Sequence, residues 1–115
     1  MKFDFKEPLF INEGFSDTTV MIDMGFQAIG KYNDLHKLDN RLIGLIKCFK
    51  HVIIVSDAND SGIRGAEELH KRLPNAEVIL PEKSYKDIRE QYLGEGKYKV
   101  QAKIKYTLGK LRKWD

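Results

Sequence analysis

The stretch HVIIVSDANDSG, residues 51–62, decides how this chain folds. Val52 to Val55 is apolar and β-branched at every position. Such a run fits a strand covered on both faces, as parallel strands between helix layers are. The run ends at Ser56, and Asp57, Asn59 and Asp60 follow before Gly62 opens a helical pattern. Carboxylates at the C-terminal tip of a buried parallel strand lie where open α/β sheets place their ligands. Set close together, they are the hard oxygen donors that Mg²⁺ takes. A second acidic loop, Asn12-Glu13-Gly14-Phe15-Ser16-Asp17, follows the apolar LFI of residues 9–11. Two acid-bearing strand ends in a 115-residue chain imply one shared metal site.

Working outward, strand and helix alternate. A first strand covers about Leu9 to Asn12, and a helix runs from Ser16 or Asp17 to Met24, stopping at Gly25. Phe26 to Gly30 reads as a second strand. Asn33 or Asp34 caps a long helix in which Leu35, Leu38, Leu42, Leu45, Ile46 and Phe49 recur at helical spacing. After the third strand, Asn59, Asp60 or Ser61 caps a helix with Ile63, Ala66, Leu69 and Leu73 on its inner face. Asn75 to Pro81 reads as a fourth strand, and a short helix over Asp87 to Leu93 stops at Gly94. The last helix, about Lys99 to Lys113, aligns Val100, Ile104, Leu108 and Leu111. This alternation predicts an α/β fold: a mainly parallel sheet of about four strands with helices on both faces.

Size and composition narrow the function classes. The length suits one domain with one modest core. The N-terminal MKFDFKEPLF has no apolar signal region and no run approaches membrane-spanning length, so a cytoplasmic protein without membrane contact is expected. Cys48 is the single cysteine, which excludes a disulfide framework, and its place in an apolar helical stretch predicts a buried thiol. His36, His51 and His70 lack metal-ligand spacing, which argues against zinc. The net charge of +3 hides an asymmetry: residues 97–115 carry a net +6, which leaves −3 for residues 1–96. An acidic site beside a basic tail suits a protein that handles a polyanion through bridging metal ions.

Each acidic loop also has a plainer reading. Asp17 can cap the first helix, and Asp60 or Ser61 the later one. Glu13, at the strand tip before Gly14, sits too early to complete a capping box. Asp57, Asn59, Ser61, Gly62 and Glu68 match positions of an EF-hand calcium loop. That motif needs an incoming helix, which Val52 to Val55 is poorly suited to form, and its apolar eighth position falls on Arg64. A haloacid-dehalogenase-type phosphatase wants its nucleophile near the N-terminus and more chain after it.

Taken together, the two loops resemble the Toprim domain shared by bacterial-type primases, topoisomerases, OLD-type nucleases and some RNA-maturing nucleases. Glu13-Gly14 is similar to the family's Glu-Gly loop, with Asp17 at a position often acidic in primases. Asp57-Ala58-Asn59-Asp60-Ser61-Gly62 is similar to its Asp-x-Asp-x-x-Gly loop, with Arg64 and Ala66 following. Residues 25–30 resemble the glycine-containing second strand. Leu80-Pro81, Lys86-Asp87 and Glu90 through Gly94 resemble the primase segment after the fourth strand. The likeness spans roughly residues 9–96 and departs at Asn59, where the family has an aspartate.

The resemblance implies a compact, Rossmann-like Toprim domain over residues 1–96, with residues 97–115 a basic amphipathic helix packed on it or extending it. It implies Mg²⁺ or Mn²⁺ held by Glu13, Asp57, Asn59 and Asp60, with Glu13 and Asp57 catalytic. Arg64 and Lys86 are expected to neutralise substrate phosphates, and Gly14, Asp17, Gly62 and Asp87 to support the site. Lys99, Lys103, Lys105, Lys110, Arg112 and Lys113 are expected to track a nucleic-acid backbone. The implied activity is primase-like nucleotidyl or phosphoryl transfer on DNA or RNA, with nucleotides as possible substrates. Nuclease action and a non-catalytic nucleic-acid-binding role are the alternatives, and a replication or repair protein is a possible partner.

Overall fold

The computed structural model describes residues 2–30 and 39–112, and for Arg112 the backbone alone. Four strands, β1 (Leu9–Asn12), β2 (Gln27–Gly30), β3 (Val52–Val55) and β4 (Glu77–Ile79), form one sheet in the order β2-β1-β3-β4. Every pairing is parallel. Among the described residues the helices are α1 (Phe15–Asp23), α2 (Asn40–Ile46), α3 (Asp60–Arg72), α4 (Ile88–Glu95) and α5 (Lys97–Arg112). The architecture is α/β and consistent with a Rossmann-like fold.

The pleat sorts the core into two layers, because successive side chains of a strand point to opposite faces. Leu9, Ile11 and Ile54 pack with Ile43 and Ile46 of α2 and with Ala66 and Leu69 of α3. Phe10, Ile53 and Val55 pack with Met21 of α1, Ile88 of α4, and Val100, Ile104 and Leu108 of α5. The central strands β1 and β3 therefore carry apolar residues on both sides, as a parallel sheet between helix layers requires. Full burial of each such side chain contributes about 1.5–3 kcal/mol. The basic C-terminal helix is part of this core, with Val100 wholly enclosed.

Some boundaries and faces differ from those read off the sequence. The expected cap at Asn33 or Asp34, with Leu35 and Leu38, lies outside the described residues. Asp39 caps α2 by accepting a hydrogen bond from the Leu42 N–H at 2.8 Å. The buried positions here are Ile43, Ile46 and Phe49. Leu45 stands two residues past buried Ile43, across the helix axis from it, and Cys48 lies in the turn that follows α2. Leu45 is therefore 48% exposed, and Cys48, expected to be a buried thiol, is exposed. In α3, Gly62, Ala66 and Leu69 form the inner stripe, and Ile63, one position off it, faces outward. The fourth strand spans Glu77–Ile79 alone. The Ala76 N–H is used by Leu73 O in the turn leaving α3, and Pro81 has no N–H to donate.

The fourth helix passes through Gly94 instead of stopping there. A Cβ at Gly94 would lie 2.9 Å from the Tyr85 ring, so this glycine serves close packing. The stop comes at Gly96, whose φ of 95° glycine adopts without steric cost. Among the described residues, no helix is long and apolar enough to cross a membrane.

Candidate metal centre at the strand tips

Asp57 lies two residues beyond β3, in a loop fixed from several directions. Ser56 N–H donates to Ile79 O at 2.9 Å, and its hydroxyl donates to Asp57 O at 2.9 Å. Ala58 N–H donates to Lys86 O at 2.7 Å, joining this loop to the one that enters α4. Asn59 closes the turn as the N-cap of α3, its Oδ1 accepting from Gly62 N–H at 2.7 Å. Gly62 is required by close approach: a Cβ there would lie 2.7 Å from both Cβ and O of Asp57.

Two other elements bring aspartates to the same place. Asp17, in the first turn of α1, is 7% exposed, and its Oδ1 accepts from Arg89 N–H at 3.1 Å. Asp87 is the N-cap of α4, with Oδ1 accepting from Glu90 N–H at 2.8 Å. The Glu90 carboxylate in turn accepts from Lys86 N–H at 3.3 Å. One carboxylate oxygen of Asp17 and one of Asp87 thereby accept from the backbone. Oxygens of Asp17, Asp57 and Asp87 all lie within 4.8 Å of one another, close enough to hold a metal ion.

The electrostatics follow from this crowding. The Asp57 carboxyl is pushed up to about 6, first by burial and then by the charges of Asp17, Glu13 and Asp87, with Lys86 opposing. Asp17 is also raised, first by burial and then by Asp87, while the hydrogen bond and charge of Arg89 pull the other way. Carboxylates that raise one another in this way favour a proton or a cation between them.

Of the residues expected to hold the metal, Asp57 belongs to this group. Asp17 and Asp87, expected as supporting residues, are its other members. Glu13 is half-buried at the tip of β1 and outside the group, although its charge is felt by Asp57 and Asp17. Asn59 has its oxygen committed to the α3 cap, and Asp60 is exposed in the first turn of that helix. Arg64 is exposed on α3, and Lys86 reaches Asp57 through its charge. Gly14 precedes α1 with an extended φ of −115°, and a Cβ there would meet nothing, so no steric need explains it.

On α5, Lys103 is occupied by Glu82 at 2.5 Å and Glu95 at 2.8 Å, which separates it from the other basic residues. Lys99, Lys105 and Lys110 are exposed, with Lys110 over the Tyr106 ring. The Arg112 side chain and Lys113 lie outside the described residues. Sequence reasoning passed over Asn12, which is wholly buried with neither side-chain polar atom paired among the described residues. The signal was an amide ending an otherwise apolar strand, LFIN. No family model, no curated protein and no solved structure matches this chain.

Proposed function

We propose that this chain is a small primase-like protein carrying out Mg²⁺- or Mn²⁺-dependent nucleotidyl or phosphoryl transfer on nucleic acid. The observation that carries the reading is the convergence of Asp17, Asp57 and Asp87 from three separate elements onto one point at the strand tips. All-oxygen donors of high charge suit a small hard dication better than zinc. A divalent ion held there supplies charge neutralisation for a phosphate and its leaving oxygen.

The surrounding residues divide the remaining work. Asp17 and Asp87 are held by backbone N–H groups, so their carboxylates are positioned before any ligand arrives. Glu13, at the rim, has the position for a general acid or base. Lys86 and Arg64 bring positive charge for substrate phosphates. Along the outward face of α5, exposed Tyr98 and Tyr106 alternate with Lys99, Lys105 and Lys110. Aromatic rings among lysines suit a single strand, whose bases stack while its phosphates pair with ammonium groups. A cytoplasmic setting goes with this reading.

A second reading, a non-catalytic nucleic-acid-binding module, draws on Asn59: the residue standing where the resembled family has an acid is committed to capping a helix. The test is incubation with labelled single-stranded DNA, Mg²⁺ or Mn²⁺, and nucleotides, resolved on a gel. Longer products support the primase-like reading, and shorter ones assign a nuclease. Retarded but unchanged strands favour the accessory module.

A further inference from the structure

Asn12 ends β1 with 1% of its surface exposed, and among the described residues neither its Oδ1 nor its Nδ2 has a hydrogen-bond partner. A buried amide without a partner is costly, and such groups call for an unplaced water, ion or ligand. Its place in the sheet indicates which. Side chains alternate along the strand, so Asn12 shares the face of Phe10, which packs with Met21 of α1 and Ile88 of α4. On that face Asp17 stands at the start of α1 and Asp87 caps α4. Asp57 follows β3, the strand paired with β1, and offers an oxygen within 4.8 Å of those of Asp17 and Asp87. The unpaired amide is therefore at the end of the sheet, and on the side of it, where the three carboxylates converge.

We infer that Asn12 is the neutral member of the cation site, its Oδ1 turned to the cation or to a water bound to it. The inference rests on the metal reading above. Burial first, and then the charges of neighbouring acids, already raise Asp57 and Asp17. A fourth acid would add to that repulsion, whereas an amide oxygen adds a hard donor without charge. A valine, continuing LFI, would bury more cheaply but would offer the cation nothing. The competing occupant is a lone water hydrogen-bonded to the amide.

The test is Mn²⁺ titration of the parent protein, Asn12→Val, Asn12→Asp and Asp57→Asn. Free Mn²⁺ is read by its spin resonance, and melting temperature is measured alongside. Asn12→Val is expected to melt no lower than the parent without metal and to bind Mn²⁺ about tenfold or more weakly. Asn12→Asp is expected to melt below the parent without metal and to regain that loss with it. Asn12→Val binding Mn²⁺ as the parent does overturns the inference and leaves the metal reading standing. If the valine variant does not fold, an aspartate variant with the parent's Mn²⁺ affinity and melting response overturns it equally. A parent that binds no Mn²⁺ fails at an earlier point and removes the metal reading itself.

Discussion

The Asp17 carboxylate accepts a hydrogen bond from the backbone N–H of Arg89, 72 positions along the chain, at 3.1 Å. This bond ties the first turn of α1 to the first turn of α4, so the positions of Asp17 and Asp87 are set together. It uses one oxygen of an acid whose protonation is favoured by burial and by Asp87. Asp17→Asn keeps an oxygen for Arg89 and removes a charge from the cluster. The variant is expected to melt above the parent without metal and to lack the stabilisation by Mg²⁺ that is expected of the parent. That stabilisation is about 2.7 kcal/mol at a metal concentration one hundred times Kd. Melting curves with and without millimolar Mg²⁺ check both halves, and a variant with the parent's metal response removes Asp17 from the ligand set.

A pH dependence follows from Asp57. Its carboxyl is held near 6 in the folded protein against an ordinary 3.8, so the native state keeps a proton that the unfolded chain has already lost. Stability of the metal-free protein from this group is highest below the unfolded value and falls as pH rises through the folded one, between roughly pH 4 and 6. A Mg²⁺ ion held by the same oxygens would compete with this proton, so its stabilising effect is expected to be small at pH 5 and large at pH 7.5. Melting across this range, with Asp57→Asn as the control that lacks the transition, tests the assignment. A parent curve matching the control throughout would refute it.

Gly62→Ala is a steric test of the loop. The new Cβ would meet the Asp57 Cβ and carbonyl oxygen at 2.7 Å, and the latter is backbone that has little room to yield. Overpacking of this kind costs about 1–3 kcal/mol, and here it also displaces a carboxylate of the site. Lower melting together with a weakened Mn²⁺ response is expected. Gly14→Ala, where a Cβ would meet nothing, is the matched control and is expected to change neither.

Asp87 has two roles that substitution can separate. Asp87→Ser retains an oxygen able to cap α4 but removes the carboxylate, whereas Asp87→Ala removes both. The alanine variant is expected to lose about 1 kcal/mol of stability relative to the serine variant. Both are expected to lose metal binding to a similar degree. Denaturation midpoints and Mn²⁺ titration together make the comparison, and a serine variant with full Mn²⁺ affinity confines Asp87 to capping.

The sheet was legible because β1 and β3 are apolar on both faces and end at residues that cannot continue them. The acidic loops were legible for the same reason: Asp57 stands just past four β-branched residues. What one chain's spacing does not contain is which acids meet. Asp87 reaches Asp57 through a loop held by the Ala58–Lys86 backbone bond, which joins segments far apart in sequence. Asn59 matched a ligand pattern and a cap pattern equally well, and the 2.7 Å bond to Gly62 shows the cap. Leu45 and Cys48 were misplaced because a helix of mixed apolar residues leaves the choice of buried stripe to its tertiary partners.

The lysines of α5 separate into two kinds with opposite expected effects. Lys103 bridges Glu82 and Glu95, binding the loop before α4 and the end of α4 to α5. Lys103→Gln is therefore expected to lower the melting temperature, most visibly at low salt where the ion pairs are least screened. Lys99, Lys105 and Lys110 are exposed, and replacing all three with Gln is expected to leave the fold as stable as before. If a single strand lies along this face, its affinity for the triple variant falls. The slope of log affinity against log salt also flattens, by about 0.7 for each phosphate that the variant no longer neutralises. Tyr98→Ala with Tyr106→Ala reports on stacking separately: affinity is expected to drop by about 1–3 kcal/mol per stacked base while the salt slope stays near that of the parent. Fluorescence anisotropy with labelled oligonucleotides at several salt concentrations measures both quantities. A triple variant with unchanged affinity and slope would leave α5 the single role of packing Val100, Ile104 and Leu108 into the core.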